Sequence, residues 1–455
     1  MPESAANLPR GFRLYRGAAT LAGAVGWPWF YWRLRSRGFG ESFRPRLGLD
    51  LPILPACPGQ QKIWLHGVSV GEIAGAEPLV RELERLAPKT CLYLSTGTET
   101  GQAVARRLYA PSHPVFYYPL DLPWTVRRYL DHIRPSVYVA LETEIWPNFL
   151  LAAKKRGVKL VLLNGRLTEK SLRGYLKFNT YLKYIINIFD IIAASSAEDA
   201  RRFAALGADP AKVAVTGNTK FERRSNPAAQ AQAADFRERL AFQGAPVMLA
   251  ASTHPGEEEI VLTAYQALRR PYPALHLLLA PRHPERAPAV AHLLHEAGIP
   301  CQFWRALKNG EGRREAAVII DTVGDLFALY SLADVIFVGG SLIPHGGQNI
   351  LEPAAWGKVP LYGPHLANFR AARQLLEEAA AGIEVTDVPS LIRAGRYCLE
   401  QPEEIYRRGQ AGLAALNTHQ GAAARQAKLL LGLLAGDDAA YEGNMGLVNE
   451  KGIFS

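Results

Sequence analysis

From Gln61 onward, short apolar runs alternate with segments whose apolar residues recur at three- and four-residue steps. The runs "KIWLHG", "TCLYLSTGT", "PVFYYPL", "SVYVALETE", "KLVLLNG", "IIAASS" and "KVAVTGN" predict strands, and "GEIAGAEPLVRELERLAP" and "ETGQAVARRLYA" predict amphipathic helices. Around Arg223–Gln243 the pattern relaxes, which marks a crossing between domains. A second alternating series follows, with strands "PVMLAAST", "ALHLLLAPR", "AAVIID", "DVIFVGG" and "VPLYGP" and helices such as "EEEIVLTAYQALRR", "NILEPAAWG" and "NFRAARQLLEEAAA". Repeated alternation predicts parallel sheets with helices on both faces, and continuous apolar runs fit strands buried on both sides.

The expected fold is therefore α/β, with two doubly wound Rossmann-like domains facing a cleft. The reading assigns 1–50 to an N-terminal segment, 51–225 and 226–420 to the two domains, and 421–455 to a C-terminal helix and tail. The helix after Pro402 is expected to return toward the first domain, and the tail from Gly436 is expected to be mobile.

The N-terminal segment breaks the alternation. Between Arg16 and Arg33 lie sixteen uncharged residues, "GAATLAGAVGWPWFYW". A membrane span needs ~20 apolar residues, and Pro28 would kink a helix here. Trp27, Trp29, Tyr31 and Trp32 suit the lipid headgroup level, and Arg33, Arg35, Arg37, Arg44 and Arg46 suit anionic lipid on the cytoplasmic side. The expectation is an N-terminal membrane-associated helix, either a shallow span or seated in the plane.

Composition narrows the partners. The 455 residues are 48% apolar with a formal charge of +10, which suits a phosphate-bearing small molecule, nucleic acid or an anionic membrane. The basic residues are not interleaved with aromatics along one element, so nucleic acid is set aside. Cys57, Cys91, Cys301 and Cys398 show no paired spacing, which argues against a disulfide framework and a zinc site and fits a reducing compartment.

Open α/β sheets bind ligands beyond the carboxyl ends of their strands, and polar residues gather at those positions. In the second series they are Ser252, Thr253, His254 and Glu257, then Pro281, Arg282 and His283, then Val323, Gly324 and Asp325, then "GGSLIPHGGQNILEP" with Asn349, Ile350, Leu351 and Glu352. Glycines admit an anion to backbone N–H groups, a helix N-terminus adds positive potential, and Glu352 suits a ribose diol. Arg282 can clamp a phosphate. In the first series His66, Ser69 and Glu72 follow one strand, Glu142 and Glu144 another, Asn164 and Arg166 a third, and Lys220 the last. Glu72 is either a helix-cap charge or a general base. The Glu142-Thr143-Glu144 run could hold a divalent cation, but no Asp-x-Asp motif accompanies it, and the reading is metal-independent with no cofactor.

In this order, "HGVSVGE", "STGT", "ETEIWPN", "LNGRLTEKS", "GNTKFE", "ASTHPGEE", "PRHPER" and "HGGQNILEPAAWGKVPLYGP" resemble the 3-deoxy-D-manno-octulosonic acid (Kdo) transferases of lipopolysaccharide synthesis. The resemblance implies a GT-B type glycosyltransferase at the cytoplasmic face of the inner membrane. It would move Kdo from CMP-Kdo to a hydroxyl of the lipid A precursor, lipid IVA, and release CMP. By motif position Glu72 would be the general base, and Glu142 and Lys220 would support the transition state. Pro281, Arg282 and His283, Val323–Asp325 and Asn349–Glu352 would bind CMP. Two other readings stay open at this level: another GT-B nucleotide-sugar enzyme such as a UDP-sugar 2-epimerase, and a non-catalytic membrane-bound nucleotide sensor.

Overall fold

The computed structural model describes residues 40–176, 179–222 and 227–436. The expected N-terminal membrane helix and nearly all of the expected tail lie outside the described residues. No helix among the described residues is long and apolar enough to cross a membrane. The chain divides into two compact units. Unit 1 takes the chain through Glu222 and again from Gly421, and unit 2 takes residues 223–420.

Unit 1 is built on β1 (Lys62–Gly67), β2 (Cys91–Thr96), β3 (Val115–Tyr117), β4 (Val137–Leu141), β5 (Lys159–Gly165), β6 (Ile191–Ala194) and β7 (Val213–Val215). They form one parallel sheet in the order β3-β2-β1-β4-β5-β6-β7. The chain moves outward from β1 to β3, then restarts on the other side of β1 with β4. The gap between the β1 and β4 exits is thus the topological switch point, where such sheets bind ligands. β1 and β4 are almost wholly buried, as strands covered by helices on both faces must be.

Unit 2 repeats the scheme with β8 (Val247–Thr253), β9 (His276–Pro281), β10 (Cys301–Phe303), β11 (Ala317–Ile319), β12 (Val335–Val338), β13 (Pro360–Tyr362) and β14 (Ile383–Glu384). The parallel order is β10-β11-β9-β8-β12-β13-β14, with its switch point between β8 and β12. The edge strands β10 and β14 are three and two residues long and carry no apolar run that predicts them.

Three expectations change. The stretch read as a relaxed crossing contains a helix, Pro227–Leu240, which buries only Ala233, Phe236 and Leu240 and therefore shows a faint period. The helix Pro402–Asn417 belongs to unit 2, and it is the next helix, Ala422–Ala435, that packs in unit 1. Its Ala427, Leu429, Leu430 and Leu433 join the core that includes Ile63, Leu65, Val139 and Leu163. Finally, Cys57 and Cys91 are joined as a disulfide, with Cα atoms 6.5 Å apart. The spacing of 34 residues carries no signature; the sheet brings the two together because Cys91 opens β2 beside Lys62 of β1.

Candidate functional site

Two sets of polar groups stand at the carboxyl ends of the sheets, one in each unit. In unit 1, β1 ends at Gly67 and the chain turns through Val68 and Ser69 into a short helix, Val70–Gly75. Ser69 caps that helix, its hydroxyl oxygen accepting the Glu72 N–H at 3.3 Å. The Glu72 carboxylate folds back on the same turn. It accepts the Ser69 hydroxyl at 2.6 Å and the Val68 N–H at 2.7 Å, and the residue is only 7% exposed. Burial pushes its pKa up, the Glu142 carboxylate pushes it further, and Ser69, Lys220 and the Val68 N–H oppose the rise. A capping charge would gain nothing from burial beside another carboxylate. A base does gain from it, because the raised pKa strengthens its hold on a proton taken from substrate.

Glu142 follows β4 directly and holds a left-handed backbone, φ +58°, with its N–H donated to Leu163 O at 2.8 Å. Its side chain pairs with the Lys220 ammonium. Lys220 arrives from the far end of the sheet, after β7, and its position is set by asparagines. Asn218 Oδ1 accepts the Lys220 N–H at 3.0 Å, and Asn164 Oδ1 accepts the Thr219 N–H at 3.0 Å. Asn164 is tied in turn to Gln426 of the C-terminal helix at 2.9 Å. Gly75 lets the lysine stem pass: a Cβ there would lie 2.2 Å from Lys220 Cγ and 3.3 Å from Lys220 Cα. Glu72, Glu142 and Lys220 are therefore brought together. No metal-holding group of three or more His, Cys, Asp or Glu side chains occurs among the described residues.

In unit 2 the candidates occupy the exits of four neighbouring strands, β11, β9, β8 and β12. Pro281 is buried as the last residue of β9, while Arg282 and His283 are exposed beyond it. Among the described residues the Arg282 guanidinium has no hydrogen-bond or ion-pair partner, which leaves its donors available to an anion. His254 stacks on His345 at 4.4 Å and meets His283 edge-on at 6.1 Å. Burial and then the neighbouring His345, His283 and Arg282 hold its pKa down.

The Gly339-Gly340 loop differs from the expectation. Its N–H groups are already engaged. The buried Glu257 carboxylate accepts the N–H of Gly340 at 2.6 Å, of Ser341 and Leu342 at 3.0 Å each, and of His254 at 3.1 Å. Gly339 is needed for that packing, since a Cβ would stand 2.6 Å from Ser252 O and 2.9 Å from Glu257 Oε2. The glycine pair thus admits a protein carboxylate rather than a phosphate. The helix expected after Asn349 is a single turn, Leu351–Ala354, too short for an appreciable dipole. Asn349 Oδ1 accepts the Leu351 N–H at 3.1 Å, and its amide approaches Glu352 Oε1 at 3.4 Å. Ile350 and Leu351 are buried and hold this turn in place.

Asp325 also departs from its expected use. It is 3% exposed and accepts Trp304 Nε1 at 3.0 Å, Lys308 Nζ at 3.0 Å, Gln232 Nε2 at 3.1 Å and the Thr322 hydroxyl. With those donors its carboxylate is a brace for the turn, and it is the exposed Val323 and Gly324 (φ +95°) that face outward. A cavity of about 490 Å³ borders the loop after β12 at Pro344 and Gly346 and is lined by His365, Leu366, Arg370 and Gln374, but none of Arg282, Val323 or Glu352 lines it.

The arginines assigned to lipid also divide. Arg46 turns inward, donating to Gly97 O at 2.6 Å and lying 5.1 Å from the Tyr117 ring centre. Arg44 pairs with Asp50 at 2.8 Å. Arg33, Arg35 and Arg37 lie outside the described residues.

A family profile described as 3-deoxy-D-manno-octulosonic-acid transferase (kdotransferase) matches residues 41–223. A 3-deoxy-D-manno-octulosonic acid transferase of Haemophilus influenzae is 36% identical over 377 residues, covering 82% of this chain and 88% of that one. One of Bordetella pertussis is 33% identical over 432 residues, covering 90% and 97%. Among solved structures, the C-terminal CMP-Kdo binding domain of WaaA from Acinetobacter baumannii is 28% identical over 42% of this chain and 99% of that one, with a TM-score of 0.40. The UDP-GlcNAc 2-epimerase of Neisseria meningitidis is 15% identical over 82% and 100%, with a TM-score of 0.49. By its sequence relatives, which extend over most of both units, the chain belongs to the 3-deoxy-D-manno-octulosonic acid transferase family and is a glycosyltransferase acting in lipopolysaccharide biosynthesis.

Proposed function

We propose that this chain transfers Kdo from CMP-Kdo to a hydroxyl of a lipid A precursor, lipid IVA, releasing CMP with inversion at the anomeric carbon. The observation that carries this reading is Glu72, a buried carboxylate at the β1 exit held by Ser69 and Val68 beside the Glu142–Lys220 pair. An alcohol is a poor nucleophile at neutral pH. Glu72 takes the acceptor hydroxyl proton as the oxygen bonds to the anomeric carbon and the bond from that carbon to the CMP phosphate oxygen breaks. Lys220, paired with Glu142, supports the negative charge that develops, and the unpaired Arg282 guanidinium receives the departing phosphate. Glu352 and Asn349 suit the ribose hydroxyls, and the backbone of Val323–Gly324 offers an exposed edge to the base. The N-terminal aromatic and arginine-rich segment suits seating on anionic lipid at the cytoplasmic face of the inner membrane.

The test is Glu72→Ala with CMP-Kdo and lipid IVA as substrates, read by product mass. Transfer is expected to fall ~100-fold or more while CMP-Kdo binding is retained. Near-normal turnover in that variant removes Glu72 from its role.

A further inference from the structure

The cavity of about 490 Å³ in unit 2 is left unused by the chemistry above. It lies at the carboxyl ends of β12 and β13, between the loops that leave the two strands. Pro344 and Gly346 line it from the first loop and His365 from the second. The helix Arg370–Glu378 closes a further side with Arg370, Arg373 and Gln374. The two loops are fastened to each other. Ser341 O accepts the His365 N–H at 2.9 Å, Ser341 Oγ accepts the Gly363 N–H at 2.9 Å, and Gly346 O accepts the Asn368 N–H at 3.0 Å. Ser341 is itself buried and donates its N–H to Glu257 at 3.0 Å. The walls are therefore fixed before anything enters, and a ligand is spared the cost of ordering them.

The two arginines of the lining differ. Arg373 pairs with Glu377 at 2.7 Å and with Glu384, so its charge is already compensated. Among the described residues the exposed Arg370 guanidinium has no hydrogen-bond or ion-pair partner. The cavity thus offers one uncompensated cation, with the side chains of His365 and Gln374 beside it for neutral groups. That set fits a hydroxylated molecule with a single negative charge better than a phosphate monoester, which carries about two. Its place matters as well. His345 stands between Pro344 and Gly346 and stacks on His254 at 4.4 Å, and His254 meets His283, the residue after Arg282, at 6.1 Å. One three-residue stretch of loop therefore borders both the cavity and the neighbourhood of the phosphate-binding arginine.

We propose that this cavity seats the Kdo residue of the donor, with the Arg370 guanidinium paired to the sugar's carboxylate. The inference rests on the reading of CMP-Kdo as the donor. Kdo is an ulosonic acid: its carboxylate is carried by the anomeric carbon, next to the bond to the CMP phosphate, and the rest of the molecule is hydroxylated carbon. A seat for it needs one cation, near the phosphate ligand but separate from it, and room for a monosaccharide. Ligand cavities run from ~300 to ~1,000 Å³, and this one falls within that range. A guanidinium meets a carboxylate with two parallel N–H···O bonds, which a neutral hexose cannot match, so Arg370 selects an acidic sugar. The pair is present before and after the glycosidic bond changes hands. Arg370 therefore acts in binding rather than in the chemical step.

Calorimetry on the full chain, with CMP and with CMP-Kdo, tests this. In Arg370→Ala, CMP-Kdo affinity should fall ~10-fold while CMP affinity stays within ~2-fold of wild type. In transfer assays the KM for CMP-Kdo should rise by a similar factor, with kcat within ~3-fold. A donor analogue with a carboxamide in place of the carboxylate should bind wild type and Arg370→Ala alike. Ala367→Phe alters an exposed residue of the lining, narrows the cavity and keeps the arginine, so it too should weaken CMP-Kdo and spare CMP. Wild-type CMP-Kdo affinity in Arg370→Ala, or a loss shared equally by CMP, overturns the inference while leaving the donor reading in place. A wild-type chain that binds CMP but not CMP-Kdo overturns the donor reading itself, and the inference with it.

Discussion

Replacing Glu257 with Gln changes one atom type at a point where four backbone donors converge. Oε1 accepts Ser341 and Leu342, Oε2 accepts Gly340 and His254, and the residue has no exposed surface. A glutamine can keep one oxygen in place, but its NH2 then faces two N–H groups with nothing to accept them. Two hydrogen bonds to a charged group are lost, at about 1.5–3 kcal/mol each, and the stranded donors make recovery by relaxation difficult. The variant is therefore expected to lose ~3–6 kcal/mol, a large part of the margin of an ordinary domain. Urea unfolding followed by tryptophan fluorescence and by circular dichroism would measure it, with the transition of unit 2 moving to lower urea and that of unit 1 holding. CMP affinity, read by calorimetry below the transition, should fall at least ~10-fold because the loop carrying His345, Asn349 and Glu352 loses its anchor. A Glu257→Gln protein with wild-type unfolding midpoints and wild-type CMP affinity would refute the reasoning, and would return the Gly339-Gly340 N–H groups to the role of phosphate ligands.

Gly75→Ala places a methyl 2.2 Å from Lys220 Cγ, so the lysine must leave Glu142; transfer should drop ~10-fold or more with a stability loss of ~1–3 kcal/mol, checked by turnover and thermal melts. Glu144→Gln should be more stable than wild type at alkaline pH. The folded pKa of Glu144 is raised to about 7 from 4.5, so between those values the folded state keeps a proton that the unfolded chain has lost, and wild-type stability declines as pH rises through that window. The gap caps the effect at ~3 kcal/mol, and partial exposure reduces it to ~1–2 kcal/mol, visible above pH 7 and gone near pH 4.5 in paired urea titrations. Reducing the Cys57–Cys91 disulfide, or changing Cys57 to Ser, should lower unit 1 stability by ~2–4 kcal/mol for its separation of 34 residues, read with and without dithiothreitol.

The parts legible in the sequence are those written in consecutive residues. β1, β4, β5, β8 and β12 are continuous apolar runs, and their buried faces explain why the runs are unbroken. Glu72 stood out because it sits where the Gly-rich turn after a strand enters a helix, though its bond to the Ser69 cap was not read from the sequence. What depends on distant partners was hidden. Nothing near Glu257 shows that it serves a loop more than 80 residues on, and Asp325 reads as an exposed turn residue until Trp304, Lys308 and Gln232 close on it. The polar brace from Gln426 to Asn164 joins residues 262 positions apart. The single turn at Leu351–Ala354 was overread as a longer helix because apolar residues flank it on both sides.

The chain leaves unit 1 at Glu222 and re-enters it at Gly421, and one carboxylate marks both places: Glu222 accepts the N–H of Gly421 at 3.0 Å and of Ala423 at 2.9 Å. During synthesis, then, the first unit to emerge from the ribosome is the last to be completed. Its sheet must wait, with the surface destined for Leu430 and Leu433 still bare, while some two hundred residues of the inserted unit are made. A nonsense codon just after Gln420 would spare every proposed catalytic and nucleotide-binding residue, yet leave a nascent protein with an apolar wound that chaperones and proteases would read first.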